Sequence, residues 1–287
     1  MNKINIESIL SESLFMPFKS KRMAELSAIY VIINILIAII ESIIRPSAST
    51  SITSYLIKYF IIVIIGSLIL QIITIAIMVS AFYEKDHGTD RLFPIIKSRY
   101  AISIKTIILI GIIAFGPVLI LDLFPIIITH PTSLTIHVDP LYFWINNVLL
   151  LYAIYALIRL FIALPLTIFS KDNTINSLRS SWIATKKQVL SVFVVLVVIF
   201  IIFLILETIT NTVGVFVSTS SDYYIISNIT TAFASAFLAI WVMLASVLSY
   251  KQITSIEQHK MDGEVLVLDE FRDENSINKL NFNGETI

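Results

Sequence analysis

The stretch QVLSVFVVLVVIFIIFLILETIT (Gln188–Thr210) decides the fold. Its first charge is Glu207, near its end, and it holds neither Gly nor Pro. A helix needs about 20 mainly apolar residues, at 1.5 Å rise each, to cross the hydrocarbon core of a bilayer. The many Val and Ile residues would also suit a strand. An open sheet edge cannot exist in lipid, however, and the run is uniformly apolar rather than alternating, so a helix is the consistent reading.

Working outward, five more stretches have spanning length and character: Met23–Ile44, Ser54–Tyr83, Ser103–Thr129, Leu141–Ser170 and Tyr224–Tyr250. The whole chain of 287 residues is 57% hydrophobic and 14% charged, with mean hydropathy +0.89. Soluble domains carry roughly 25% charged residues, so this chain could not cover a water-facing surface. The expectation is an all-α polytopic membrane protein with a six-helix membrane domain over residues 1–250. The spans fall at about 23–44, 54–83, 103–129, 141–170, 188–210 and 224–250. Lys+Arg and Asp+Glu balance at 20 each, so net charge names no partner, and no nucleic acid is expected. There is no Cys, which excludes disulfides, thiolate metal sites and cysteine nucleophiles. The segment Met1–Ser27 mixes charge with apolar residues and leads into a run of spanning length, unlike a cleavable signal peptide.

Orientation follows from Lys and Arg near the span ends. Lys19, Lys21 and Arg22 precede the first span. Lys85, Arg91, Lys97, Arg99 and Lys105 follow the second. Lys171, Arg179, Lys186 and Lys187 follow the fourth, and Lys251 and Lys260 follow the sixth. The opposite side has Arg45, with Lys58 just inside a helix end where it can snorkel. This asymmetry predicts a multi-pass cell-membrane protein with both termini in the cytoplasm.

A short amphipathic stretch precedes each odd-numbered span. Ile6, Ile9, Leu10 and Leu14 share one helical face in the first, and Leu92, Ile95, Ile96 and Tyr100 in the second. Ile175, Leu178 and Trp182 do so in the third, with Asn173 or Thr174 as its N-cap. Each is too short and too charged to span, so each is read as an interfacial helix in the headgroup region. The three align without gaps: Leu10, Ile96 and Leu178, then Leu14, Tyr100 and Trp182, then Lys19, Lys105 and Lys187. The pattern reads as a threefold repeat of interfacial helix, spanning helix and return helix. The tail, residues 251–287, is rich in acids and poor in bulky apolar residues after Phe271, which predicts an acidic, disordered cytoplasmic segment. Within it, Gly263–Phe271 could form one strand against a protein partner.

The stretch ALPLTIFSKDNTINSLRSSWIATKK (Ala163–Lys187) carries a pattern of its own. Arg159 lies inside the preceding span and Pro165 near its end. A polar turn follows, then Ser-Leu-Arg-Ser-Ser-Trp leads into the next span. This resembles the membrane domain fused to some glycerophosphodiester phosphodiesterases, and also YciC-like bacterial and archaeal six-helix membrane proteins. The layout resembles theirs over residues 5–250, and the residues over 159–187. The resemblance implies the membrane part without the catalytic part. The fused hydrolase needs metal-binding acids and paired histidines in a separate soluble domain, and this chain has only His87, His130, His137 and His259.

Among polar residues in the spans, Arg159, Gln71 and Asn34 stand out. Arg159 lies about 11 residues, or about 16 Å of continuous helix, from the inner end of its span. A charge there should face the bundle and find a partner. It could contact an anion or lipid phosphate, or pin helices through carbonyls, Gln71 or Asn34. Glu41, Asp122 and Glu207 lie near the outer ends of the odd spans and read as solvated helix ends or an acidic mouth. His130, His137 and Asp139 on an outer loop are weak candidates for a metal, and no metal or cofactor is expected. Asn228-Ile229-Thr230 matches a glycosylation sequon but lies too near the membrane to count.

Lys97, Arg99, Tyr100, Lys105, Arg179, Trp182, Lys186 and Lys187 form a basic and aromatic set for the inner leaflet, each base worth roughly 1 kcal/mol against anionic lipid. The functional expectation is a non-enzymatic membrane protein that interacts with lipids or serves as a scaffold, with a protein partner at its tail. The alternatives are a permease or channel using Arg159, and a membrane-embedded lipid enzyme.

Overall fold

A computed structural model of the chain describes residues 4–44, 52–83, 92–128, 140–170, 173–217 and 223–280. Helices α1 (Ile6–Lys19), α2 (Lys21–Ile44), α3 (Ile52–Phe82) and α4 (Leu92–Ile128) come first. Next are α5 (Pro140–Arg159), α6 (Ala163–Phe169) and α7 (Thr174–Ala184). A 3-10 turn (Thr185–Lys187) leads into α8 (Val189–Val217) and α9 (Tyr223–Leu280). No strand occurs among the described residues. Six helical stretches are long and apolar enough to cross a membrane: α2, α3, α4, α5 with α6, α8 and α9.

The spans pack as antiparallel hairpins, α2 with α3, α4 with α5, and α8 with α9. Their burial alternates. In the most apolar windows of α2, α4 and α8, 17%, 11% and 17% of residues are buried. In α3, α5–α6 and α9 the shares are 33%, 44% and 56%. The return helix of each hairpin is therefore the inner one, and α9, which touches α1, α2, α3, α6 and α8, is central. Small residues let the helices approach closely, as expected where lipid supplies no hydrophobic drive between them. Ala232, Ala234, Ala236 and Ala245 are buried along α9, and Gly66 of α3 faces Ile37 of α2.

Two amphipathic stretches form separate helices. Asn5 caps α1, its side chain accepting from the Ser8 N–H at 3.1 Å. Asn173, not Thr174, caps α7, accepting from the Asn176 N–H at 3.0 Å. Both satisfy an orphan donor of a first turn. Ser20 separates α1 from α2: its backbone is extended, and its hydroxyl accepts from the Met23 N–H at 3.2 Å.

Three expectations need correction. The second amphipathic stretch is not a separate helix; it forms the first turns of α4, because nothing between Tyr100 and Ser103 stops the helix and Pro94 lies in its first turn, where proline is tolerated. The fourth span is not continuous. It breaks at residues 160–162, one turn before Pro165, which has no N–H to donate and whose ring crowds the carbonyl four residues back. The apolar faces of α1 and α7 are turned mainly to protein: Ile9 and Met16 are fully buried against the core, and Leu178 packs on Leu160 and Ala163, while Ile175 of the α7 face is exposed. Beyond these, α9 continues past Tyr250 to Leu280. The residues just after Tyr250, KQITSIEQHKMD, contain no helix breaker. His130, His137, Asp139 and Arg45 lie outside the described residues, as does the side chain of Asp122.

Candidate functional site at the basic end

The break in the fourth span sets the local chemistry. In a continuous helix the Ala163 N–H would donate to the Arg159 carbonyl. Here it donates to Leu160 instead, at 2.9 Å. The freed Arg159 carbonyl accepts from the Ser181 hydroxyl at 2.9 Å, and the Thr185 hydroxyl shares its one proton between this carbonyl, at 2.9 Å, and that of Ser181, at 2.7 Å. A buried carbonyl left without a partner would cost about 1–3 kcal/mol, and two hydroxyls of the α7 segment remove that cost.

The Arg159 side chain closes the same contact from the other direction. It is the last residue of α5, where a cation complements the helix dipole, and it is 3% exposed. Its guanidinium donates to the Trp182 carbonyl. It also lies over the Trp182 ring, 4.9 Å from the centroid, and near the Tyr155 ring at 5.8 Å. Both distances fall within cation–π range. The two rings meet edge to face at 5.7 Å. Nε of Arg159 has no partner among the described residues. The sequence anticipated carbonyl partners for Arg159, and it has one. Gln71 and Asn34 are not partners. Asn34 ties α2 to α9, donating to the Ala232 carbonyl at 2.7 Å and to Ser235 Oγ at 3.2 Å. Gln71 is buried in α3, with its Nε2 unpartnered among the described residues. The three deep polar residues are thus not brought together. The depth expected for Arg159 also changes, because α5 alone has 20 residues, about 30 Å of helix, and Arg159 ends it.

Buried hydroxyls extend the seat of α7. Thr106 of α4 and Thr167 of α6 meet at 3.1 Å, and Thr174 of α7 reaches the Ile102 carbonyl at 3.5 Å. Short side chains let three backbones approach, and these three threonine hydroxyls each have a carbonyl or hydroxyl within reach, while the buried Ser103 and Ser177 hydroxyls have no partner among the described residues. The seat of α1 is simpler: Trp241 Nε1 of α9 donates to Ser13 Oγ at 2.7 Å, and the Asn5 N–H donates to Gln252 Oε1 at 2.9 Å.

The inner return helices converge at this end. Phe82 of α3 stacks on Phe169 at 4.1 Å, and Phe169 stacks on Tyr250 of α9 at 5.8 Å. Lys251 donates to the Ala81 carbonyl at 2.9 Å, in the last turn of α3, and lies 5.4 Å from the centroid of the Phe82 ring.

Residues 159–187 lie within a stretch that matches a known family. A model of the membrane domain of glycerophosphoryl diester phosphodiesterase matches residues 134–280. The chain belongs to this family. The match spans α5 to α9, and so includes the broken span, the docked α7 and the central α9. No curated protein and no solved structure matches the chain. In this member of the family, Arg159, Pro165, Ser181 and Trp182 work as one docking unit, which gives a physical reason for the pattern noted in the sequence.

The predicted leaflet set divides in two. Lys97, Lys105, Arg179, Lys186 and Lys187 are exposed and Arg99 is half-exposed. Tyr100 and Trp182 instead face protein: the Tyr100 hydroxyl donates to the Leu68 carbonyl at 3.0 Å, and Trp182 packs on Arg159. The apolar residues that do point outward at this end are Phe15, Phe18, Phe93, Ile175 and Ile183, all more than 60% exposed. Of these, Ile175 was read on the amphipathic face of the third stretch; Phe15, Phe18, Phe93 and Ile183 were not, because each amphipathic face was taken as the membrane face. Their signal was a set of large apolar residues off that face, beside the bases. At the other end, Asn228 of the sequon donates to Ser42 Oγ at 2.8 Å inside the bundle. Glu41 and Glu207 lie on the peripheral helices α2 and α8. No cluster of three metal-ligating side chains occurs among the described residues.

Proposed function

We propose that the chain is a non-enzymatic, lipid-interacting membrane scaffold whose basic end faces the anionic cytoplasmic leaflet. In this reading both termini are cytoplasmic, the three hairpins are copies of one repeat, and the continuation of α9 contacts a protein partner. The observation that carries it is the pairing of outward bases with outward apolar residues at one end. Lys97, Lys105, Arg179, Lys186 and Lys187 stand beside Phe15, Phe18, Phe93, Ile175 and Ile183. Such a surface holds acyl chains and attracts anionic headgroups together. The alternation of outer and inner helices supports the repeat, and the excess of Lys and Arg at this end supports the orientation. The matched domain is the membrane part of a glycerophosphoryl diester phosphodiesterase. A glycerophosphoryl diester is the polar part of a phospholipid, which accords with a lipid-facing role. A solute path through Arg159 is disfavoured, since its guanidinium and carbonyl are engaged by α7 and Asn34 is engaged by α9.

The test is boundary-lipid selectivity in nanodiscs of mixed phosphatidylglycerol and phosphatidylcholine, read with spin-labelled lipids. Wild type should enrich phosphatidylglycerol. The quadruple variant Lys97→Gln, Arg99→Gln, Lys186→Gln, Lys187→Gln should lose most of that enrichment. Equal enrichment in both would refute the reading.

A further inference from the structure

A cleft of about 210 Å³ lies between α6, α7 and α9. Its walls are largely apolar, from Ile162, Leu166, Ile183 and Ile253, with the hydroxyl-bearing residues Ser180, Tyr250 and Thr254 among them. On α7 the lining residues Ser180, Ile183 and Ala184 share one helical face, opposite the Ser181–Trp182 side that grips Arg159. The docking of α7 therefore forms the cleft: α6 lies on one side only because the fourth span breaks, and α7 is held beside it by the Arg159 carbonyl and guanidinium.

We infer that this cleft seats one anionic phospholipid of the basic-end leaflet. The inference rests on the lipid-facing reading above and adds a discrete site to it. Charge argues for the occupant. Arg179 adjoins Ser180, and Lys186 and Lys187 follow Ala184 after one residue, so exposed bases flank the α7 wall on both sides. Chemistry argues for it as well. A phosphate oxygen accepts from the Ser180 hydroxyl and the ammonium groups. Thr254, whose hydroxyl already donates to the Tyr250 carbonyl at 2.9 Å, keeps lone pairs for a headgroup donor. Size sets the limit. The volume equals that of about seven waters in the liquid, so it holds part of one acyl chain with its glycerol end, not a whole lipid. The remainder lies outside along exposed Ile183 and Leu190.

Native mass spectrometry of detergent-purified protein with added phosphatidylglycerol or phosphatidylcholine tests this. Wild type should retain one phosphatidylglycerol in preference to phosphatidylcholine. Ala184→Trp, at a half-buried position, should fill the cleft and abolish retention. Lys186→Gln with Lys187→Gln should keep the site but reduce the preference roughly tenfold or more. A photoactivatable phosphatidylglycerol on wild type, which needs no variant to fold, should crosslink to peptides carrying Ser180–Ala184 and Tyr250–Thr254. Crosslinks spread evenly over α2, α4 and α8, or unchanged retention in Ala184→Trp, would overturn the site. The two readings fail separately. If the quadruple charge variant abolishes nanodisc enrichment while Ala184→Trp changes nothing, the surface role stands and the discrete site does not.

Discussion

Helices α1 and α7 occupy comparable places, each amphipathic and each leading into an outer span, yet they are held by different chemistry. In the gapless alignment of the amphipathic stretches, Ser13 and Ser181 take the same position, and both are fully buried. Ser13 accepts one bond from an indole on α9, which stays an unbroken helix. Ser181 donates to a backbone carbonyl that exists as a free acceptor only because the fourth span is broken. The first seat is a side-chain contact added to a finished helix. The second is part of how the helix beside it ends. The difference teaches that an amphipathic helix can be recruited to a bundle either by a spare donor or by repairing a defect.

The comparison can be broken at several points. Arg159→Leu removes a charged hydrogen bond and two cation–π contacts from a buried site, and should destabilise the purified protein by about 3 kcal/mol in a reversible unfolding assay. Arg159→Lys should recover only part of this, since an ammonium lacks the planar fork. Next, Ser181→Ala combined with Thr185→Val should cost about 2 kcal/mol by leaving the Arg159 carbonyl unsatisfied. Each single change should cost much less, because the other hydroxyl still donates; additive singles would contradict a shared acceptor. On the α1 side, Ser13→Ala should cost about 1 kcal/mol by leaving the Trp241 N–H without its acceptor, with α7 unaffected. The exposed bases come last. Lys97→Gln, Lys186→Gln and Lys187→Gln should each shift stability by no more than about 0.5 kcal/mol, while lipid selectivity falls.

Much of the fold was legible because hydropathy and length report the solvent directly. The six spans, a cap at Asn173 or Thr174 and the amphipathic stretches all followed from local pattern. The break at 160–162 did not, although Pro165 was in view. Pro117 shows why: it lies within α4, and that helix runs from Leu92 to Ile128 without interruption. Proline leaves the carbonyl four residues back without its helical donor in either place, Phe161 for Pro165 and Ile113 for Pro117. What distinguishes the fourth span is that a different carbonyl, that of Arg159, left when the Ala163 N–H turns to Leu160, is met by the hydroxyls of Ser181 and Thr185 some twenty residues on. That is a tertiary fact. The direction of the amphipathic faces was misread for a related reason. Ile9 and Leu178 look the same to a hydropathy pattern whether they meet lipid tails or an apolar protein core, whereas Phe15, Phe18 and Ile175 face outward. Arg159 itself was legible as a residue needing a partner, but which carbonyl it would find depended on the break.

The central structural claim is that Arg159 holds α7 in place. Hydrogen–deuterium exchange of wild type and Arg159→Leu in detergent tests it most directly. The account predicts that amides of residues 174–184 exchange much faster in the variant, while α1 and the cores of α3 and α9 keep their protection. Unchanged protection of residues 174–184 in a folded variant would contradict it.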